Sequence, residues 1–155
     1  MNKFVLVFLL LCLSLSCGRS HVFDESHTFE SLIWNRFDII EMDVPVQADE
    51  RGFDFVVRLI HTEAYAYDFI NMNITFYMPG GAMRSRDYTF RLQDEDGNWL
   101  SPVVDGFIEA DLPVISGLKF YEDGICRVRM ENKMTRFNTA GIKSVGLSVR
   151  KSHNR

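Results

Sequence analysis

From Ile70 to Met78 the chain alternates strictly: Ile70, Met72, Ile74, Phe76 and Met78 are interleaved with Asn71, Asn73, Thr75 and Tyr77. A period of two sends successive side chains to opposite faces, which is the pattern of an extended strand with one face buried. The same period recurs along the chain. Ile40, Met42 and Val44 face away from Glu41 and Asp43. Tyr88, Phe90 and Leu92 alternate with Asp87, Thr89 and Arg91, and Ile108, Ala110 and Leu112 with Glu109 and Asp111. Cys126, Val128 and Met130 alternate with Arg127 and Arg129, and Val145, Leu147 and Val149 with Ser144, Ser148 and Arg150. Phe53 to Ile60 reads as a more fully buried strand. Turn residues separate the runs: Asp49-Glu50-Arg51-Gly52, Pro79-Gly80-Gly81, Asp96-Gly97-Asn98 and Glu122-Asp123-Gly124. No segment carries the caps and spacing of a long amphipathic helix. Strands with one apolar face each are covered economically by two sheets packed face to face. The expected fold is therefore all-β: an antiparallel β-sandwich of about seven or eight strands, with a flattened barrel as the alternative.

The first residues follow a different rule. Met1-Asn2-Lys3 is a short positive start, and Phe4 to Leu15 is apolar apart from Cys12 and Ser14. Those twelve residues span about 18 Å as a helix, against about 30 Å for a bilayer core, so they read as a signal-peptide core and not as a stable transmembrane helix. Ser14-Leu15-Ser16-Cys17-Gly18 follows. A lipobox needs a small residue before the cysteine, so that the peptidase can seat the chain, and a thiol to accept the diacylglyceryl group. Ser16 and Cys17 supply them; Leu11 before Cys12 makes that cysteine a poorer candidate. The expected organisation is a lipoprotein signal peptide over 1–16, a lipidated tether over 17–33 and a β-sandwich domain over 34–155. Cys17 is the expected lipid anchor. Fatty chains such as palmitate contribute about 0.8 kcal/mol per buried CH₂, so two or three of them hold a protein on a membrane essentially permanently. Cys126 is then left without a partner and, by its alternation with Val128 and Met130, is expected as a buried core thiol.

Nothing in the residues specifies a reaction. The formal net charge of −4 leaves no basic surplus for a phosphate backbone, which argues against nucleic-acid binding. The histidines are His21, His27, His61 and His153. None stands at a zinc-ligand spacing, and His61, closing a strand, reads as a surface residue. No cofactor, metal, catalytic set or small-molecule substrate is expected. Asp94-Glu95-Asp96-Gly97-Asn98-Trp99 allows two readings. Asp94 and Asp96 could contribute hard oxygens to calcium, or Asp96-Gly97 could turn a hairpin with Trp99 packing back on the core. Tyr65 and Tyr67 fall in a loop. With Tyr88 they could stack on a glycan, or they could cap an edge of the sandwich.

Several stretches, in order, resemble the gliding-motility lipoprotein family GldH of the Bacteroidetes. They are Cys17-Gly18-Arg19-Ser20-His21-Val22-Phe23-Asp24-Glu25, then Trp34, then Gln93-Asp94-Glu95-Asp96-Gly97-Asn98-Trp99-Leu100, and finally Gly141-Ile142-Lys143-Ser144-Val145-Gly146-Leu147-Ser148-Val149-Arg150-Lys151. Glu95 departs from the family's proline, and Ser101-Pro102-Val103-Val104 from its glycine-rich segment. The resemblance implies a non-enzymatic component of the cell-envelope gliding machinery. It would be attached to a membrane through lipid on Cys17 and recruited by other envelope proteins. No acidic run follows Cys17, which favours the outer membrane facing the periplasm. A glycan- or ligand-binding lipoprotein is the alternative.

Overall fold

A computed structural model describes residues 21–153. Among them there are eleven strands and no helix. In chain order they are β1 (His21–Thr28), β2 (Ile33–Asn35), β3 (Ile40–Val46), β4 (Phe53–Thr62), β5 (Phe69–Tyr77), β6 (Met83–Arg91), β7 (Val103–Val104), β8 (Phe107–Leu118), β9 (Gly124–Asn132), β10 (Asn138–Ala140) and β11 (Ile142–Lys151). Every pairing is antiparallel. One sheet runs β1-β11-β4-β8-β7, a second runs β3-β9-β5-β6, and β2 pairs with β10 alone.

The two large sheets share one core. Phe55, Val57 and Leu59 of β4 and Val145, Leu147 and Val149 of β11 belong to the same buried cluster as Met72, Ile74 and Phe76 of β5 and Cys126, Val128 and Met130 of β9. Phe55 and Phe76 meet across the layers edge to face, with centroids 5.2 Å apart. The fold is thus the expected β-sandwich, and because both sheets keep open edges it is not a closed barrel. β2 and β10 close one end of it. Trp34 of β2 is fully buried, and its indole Nε1 donates to the Asp38 carbonyl at 2.8 Å. The Asn132 amide donates to the Trp34 carbonyl and to Thr139 Oγ1, both at 2.9 Å, and its Oδ1 accepts from Met134 N.

The six runs of alternation became β3, β5, β6, β8, β9 and β11, and the Phe53–Ile60 run became β4. The count of seven or eight was low, because β2, β7 and β10 have only two or three residues each, too few to display a period. The domain also begins earlier than expected. His21–Thr28, placed in the tether over 17–33, is β1 and pairs with β11 from Arg150 to Ser144. Its side chains are mostly exposed and only Phe23 packs partly on the core, so backbone pairing more than apolar burial holds it, and no alternation could announce it. The cleavage site, Cys17 and residues 18–20 lie outside the described residues.

The strand covered on both faces is β11, not β4. β4 buries every second residue, whereas Ser144 through Val149 are all buried. Ser144, Gly146 and Ser148 sit between Thr28, Ser26 and Asp24 of β1 and Ile60, Arg58 and Val56 of β4. These larger neighbours overhang the small central residues. At Gly146 a Cβ would stand 2.9 Å from the Glu25 carbonyl oxygen, so close pairing of β1 depends on the missing side chain.

Candidate functional site

His61 lies on β4 two steps beyond Leu59 and so on the core face. Contrary to the expectation of a surface residue, it is fully buried. Its ring sits 5.2 Å from that of Tyr65 and 4.7 Å from that of Trp99. Nδ1 donates to the Thr62 carbonyl at 2.9 Å, which leaves Nε2 as a buried lone pair without a hydrogen-bond partner. Burial holds its pKa below the usual histidine value. His61 is therefore a neutral core residue.

His21 Nδ1 lies 2.8 Å from Ser148 Oγ and 3.8 Å from Asp24 Oδ2. This brings a serine, a histidine and an aspartate together on β1 and β11. Both contacts fall on the same ring nitrogen. A proton relay needs the serine and the carboxylate on opposite nitrogens, so the trio has the geometry of a surface hydrogen-bond cluster. His153 is exposed, and His27 packs edge-on against Phe29. Among the described residues no three His, Cys, Asp or Glu side chains are placed to hold one metal ion. Cys126 is buried, and burial pushes its thiol pKa up to about 12, the protonated and unreactive form.

The Asp94 stretch has the geometry of the turn reading. Asp94 Oδ1 accepts from Asp96 N at 3.0 Å and from Asn98 N at 2.8 Å, and Oδ2 accepts from Asn98 Nδ2 at 3.2 Å. These donors hold the carboxyl pKa below its usual value. Gly97 takes φ +81°, the left-handed region that favours glycine. The loop returns Trp99 to Gln93 and to the His61 ring. Tyr65 caps the sandwich: it is buried, and its hydroxyl donates to the Phe69 carbonyl at 3.1 Å. Tyr67 packs against it, centroids 5.6 Å apart. Tyr88 keeps other company on β6, stacked on Phe90 at 5.5 Å.

Sequence reasoning passed over two features. Phe37 and Phe137 are both exposed and meet edge to face at 5.0 Å, beside the β2–β10 closure. The other is on β6. Opposite Ile70, Met72, Ile74 and Phe76, all core residues of β5, stand Phe90, Tyr88, Arg86 and Arg84. The inward row of β6 thus begins apolar and ends in two exposed arginines. The signal was present: counting back in twos from Phe90 reaches both. Among the described residues no carboxylate lies within 4.0 Å of Arg84 or Arg86, and the Arg86 guanidinium sits over the Tyr88 ring at 5.3 Å. Next to Arg84, a cavity of about 180 Å³ opens between the β5–β6 turn and the segment after β8, lined also by Ala82, Lys119 and Phe120.

Comparison with known proteins gives one assignment. No curated protein shows significant similarity to the chain. The profile of the GldH lipoprotein family matches residues 21–149. That span runs from the first residue of β1 to Val149 near the end of β11, so it takes in both sheets and the closing β2–β10 pair, and the chain belongs to the GldH lipoprotein family.

Proposed function

We propose that this chain is a non-enzymatic envelope component of the GldH type, anchored through lipid on Cys17 and acting by assembly with other proteins of the gliding machinery. The observation that carries the reading is the distance along the chain from Cys17 to the fold. β1 starts at His21, four residues after a cysteine that follows a signal-peptide core and Ser16. Four residues reach at most about 14 Å, so an acyl group on Cys17 would hold the sandwich against the membrane surface. Membership of a lipoprotein family supports the anchor. The periplasmic face of the outer membrane is the proposed location. The glycan reading is not carried forward, because Tyr65, one of its three aromatics, is buried with its hydroxyl satisfied.

The test is direct. Mass spectrometry of the purified protein should give an amino-terminal peptide that begins at Cys17 and carries diacylglyceryl and acyl groups. Cys17→Ser should move the protein from the membrane fraction to the soluble one, and deletion of the gene should impair surface motility or envelope assembly. An unmodified Cys17 in native material, or wild-type motility and envelope in the deletion strain, would overturn the proposal.

A further inference from the structure

We infer that the open edge of β6 is a docking site for an extended, acidic segment of a partner protein, added to the four-stranded sheet as a fifth strand. The first support is the backbone. β6 has nine residues and, among the described residues, pairs with β5 alone, so its other side presents N–H and C=O groups that no described strand pairs, a ready template for another strand. The other sheet edges offer less: β7 has two residues and β3 carries Pro45. β1 is eight residues long but lies beside the proposed anchor.

The second support is charge. Two exposed arginines without carboxylate partners stand on an acidic protein, side by side on one row of an edge strand. Arginines on the central strands β4 and β9 are paired instead: Arg58 reaches Asp24 and Glu109, and Arg127 reaches Asp43. A strand laid beside β6 would lie about 4.8 Å away, with its same-face residues roughly 6.7 Å apart. Alternate carboxylates would then fall next to Arg84 and Arg86. On the opposite row Asp87 accepts a hydrogen bond from Asn73, and an acid placed there would be repelled. The edge therefore fits a segment that alternates acidic with neutral residues. A second copy of the chain fits poorly, because pairing through the same edge would bring four arginines onto one face. Inward-pointing charges also protect sheet edges from pairing at all, and the experiment separates the two roles.

The inference deepens the reading of a partner-recruiting component, and rests on it for the partner's place in the envelope. The probe is a dye-labelled nonapeptide alternating Glu and Thr, with a Lys–Thr peptide as its counterpart, titrated by fluorescence anisotropy against the full chain in mild detergent. The Glu–Thr peptide should bind and the Lys–Thr peptide should not. Arg84→Glu with Arg86→Glu should lower the affinity at least tenfold, while Arg136→Glu, the same charge change at an exposed position outside β6, should leave it unchanged. Methylating the peptide nitrogens that face β6 should weaken binding to a similar degree, because ladder bonds are lost. Equal binding of both peptides, or indifference to methylation, would overturn strand addition. Absence of binding, together with self-association of the double variant, would overturn it in favour of edge protection. Anchoring is read separately by fractionation, so failure of the strand site leaves the anchor standing, and the reverse.

Discussion

β4 lies third in the five-stranded sheet with a partner on each side; β6 ends the four-stranded sheet with a partner on one. Both carry a two-residue period. On β4 the inward row is Phe53, Phe55, Val57, Leu59 and His61, and every member is buried. On β6 the inward row is Arg84, Arg86, Tyr88 and Phe90, and only Phe90 is buried. The difference comes from what lies across the sandwich. Phe55 of β4 meets Phe76 of the facing sheet, while Arg84 and Arg86 project where no facing strand covers them. A period of two reports which side chains share a face. Burial of that face is decided by the neighbouring layer.

The largest test of this contrast is truncation on the two rows. Phe55→Ala should cost about 3–5 kcal/mol, and Tyr88→Ala, at a half-buried edge, less than about 1.5 kcal/mol, both read by urea denaturation. Comparable losses would mean that β6 is packed as tightly as β4. Next comes Gly146→Ala on β11, whose new methyl would press on the Glu25 carbonyl at 2.9 Å. Overpacking of this kind costs roughly 1–3 kcal/mol, and faster amide exchange should be confined to β1 and β11; a neutral substitution would show that β1 can shift freely. A smaller effect should come from His61. Its folded pKa is lowered from 6.5 by burial, so the unfolded chain takes up the proton first. Stability contributed by the neutral ring is complete above about pH 6.5 and falls as pH drops below it. Thermal melts at pH 7.5 and 5.5 should show this loss, and His61→Phe should flatten it; an unchanged slope would assign it elsewhere. Smallest of all, Arg127→Ala should lower stability slightly by removing the contact with Asp43, while Arg84→Ala should leave the melting temperature unchanged.

β3, β4, β5, β8, β9 and β11 were legible because each presents a buried face to a facing layer and so needs a regular apolar row, and β6 was legible from its apolar end, Tyr88 and Phe90. β1 was not legible, since seven register pairs with β11 hold it without such a row. His61 was misread although its position gave the answer: it continues the row of Leu59, and residue type outweighed register. At Asp94 the turn that the sequence allowed is present, with the loop's own N–H groups bonded to the carboxylate. Tyr65 and Tyr67 were placed in the right loop, but a loop position does not tell whether a ring turns outward or inward over the core. Counting in twos from Phe90 places Arg84 and Arg86 on the inward row of β6, but their exposure was not legible, because the sequence does not display where the opposite sheet ends.

β1 and β11 run antiparallel, so His21 and Lys151 leave the sandwich at the same end. Tension applied upstream of His21, against resistance at the opposite end, acts along the axis of β1. It loads all the rungs of that ladder together in shear, whereas a sideways pull would unzip them one after another. Force spectroscopy should therefore record a high rupture force for the axial direction and a low one for the lateral direction. Rupture of this kind is governed by the unfolding rate and not by equilibrium stability. A strand with little buried surface would thus resist an axial pull and yield to a lateral one.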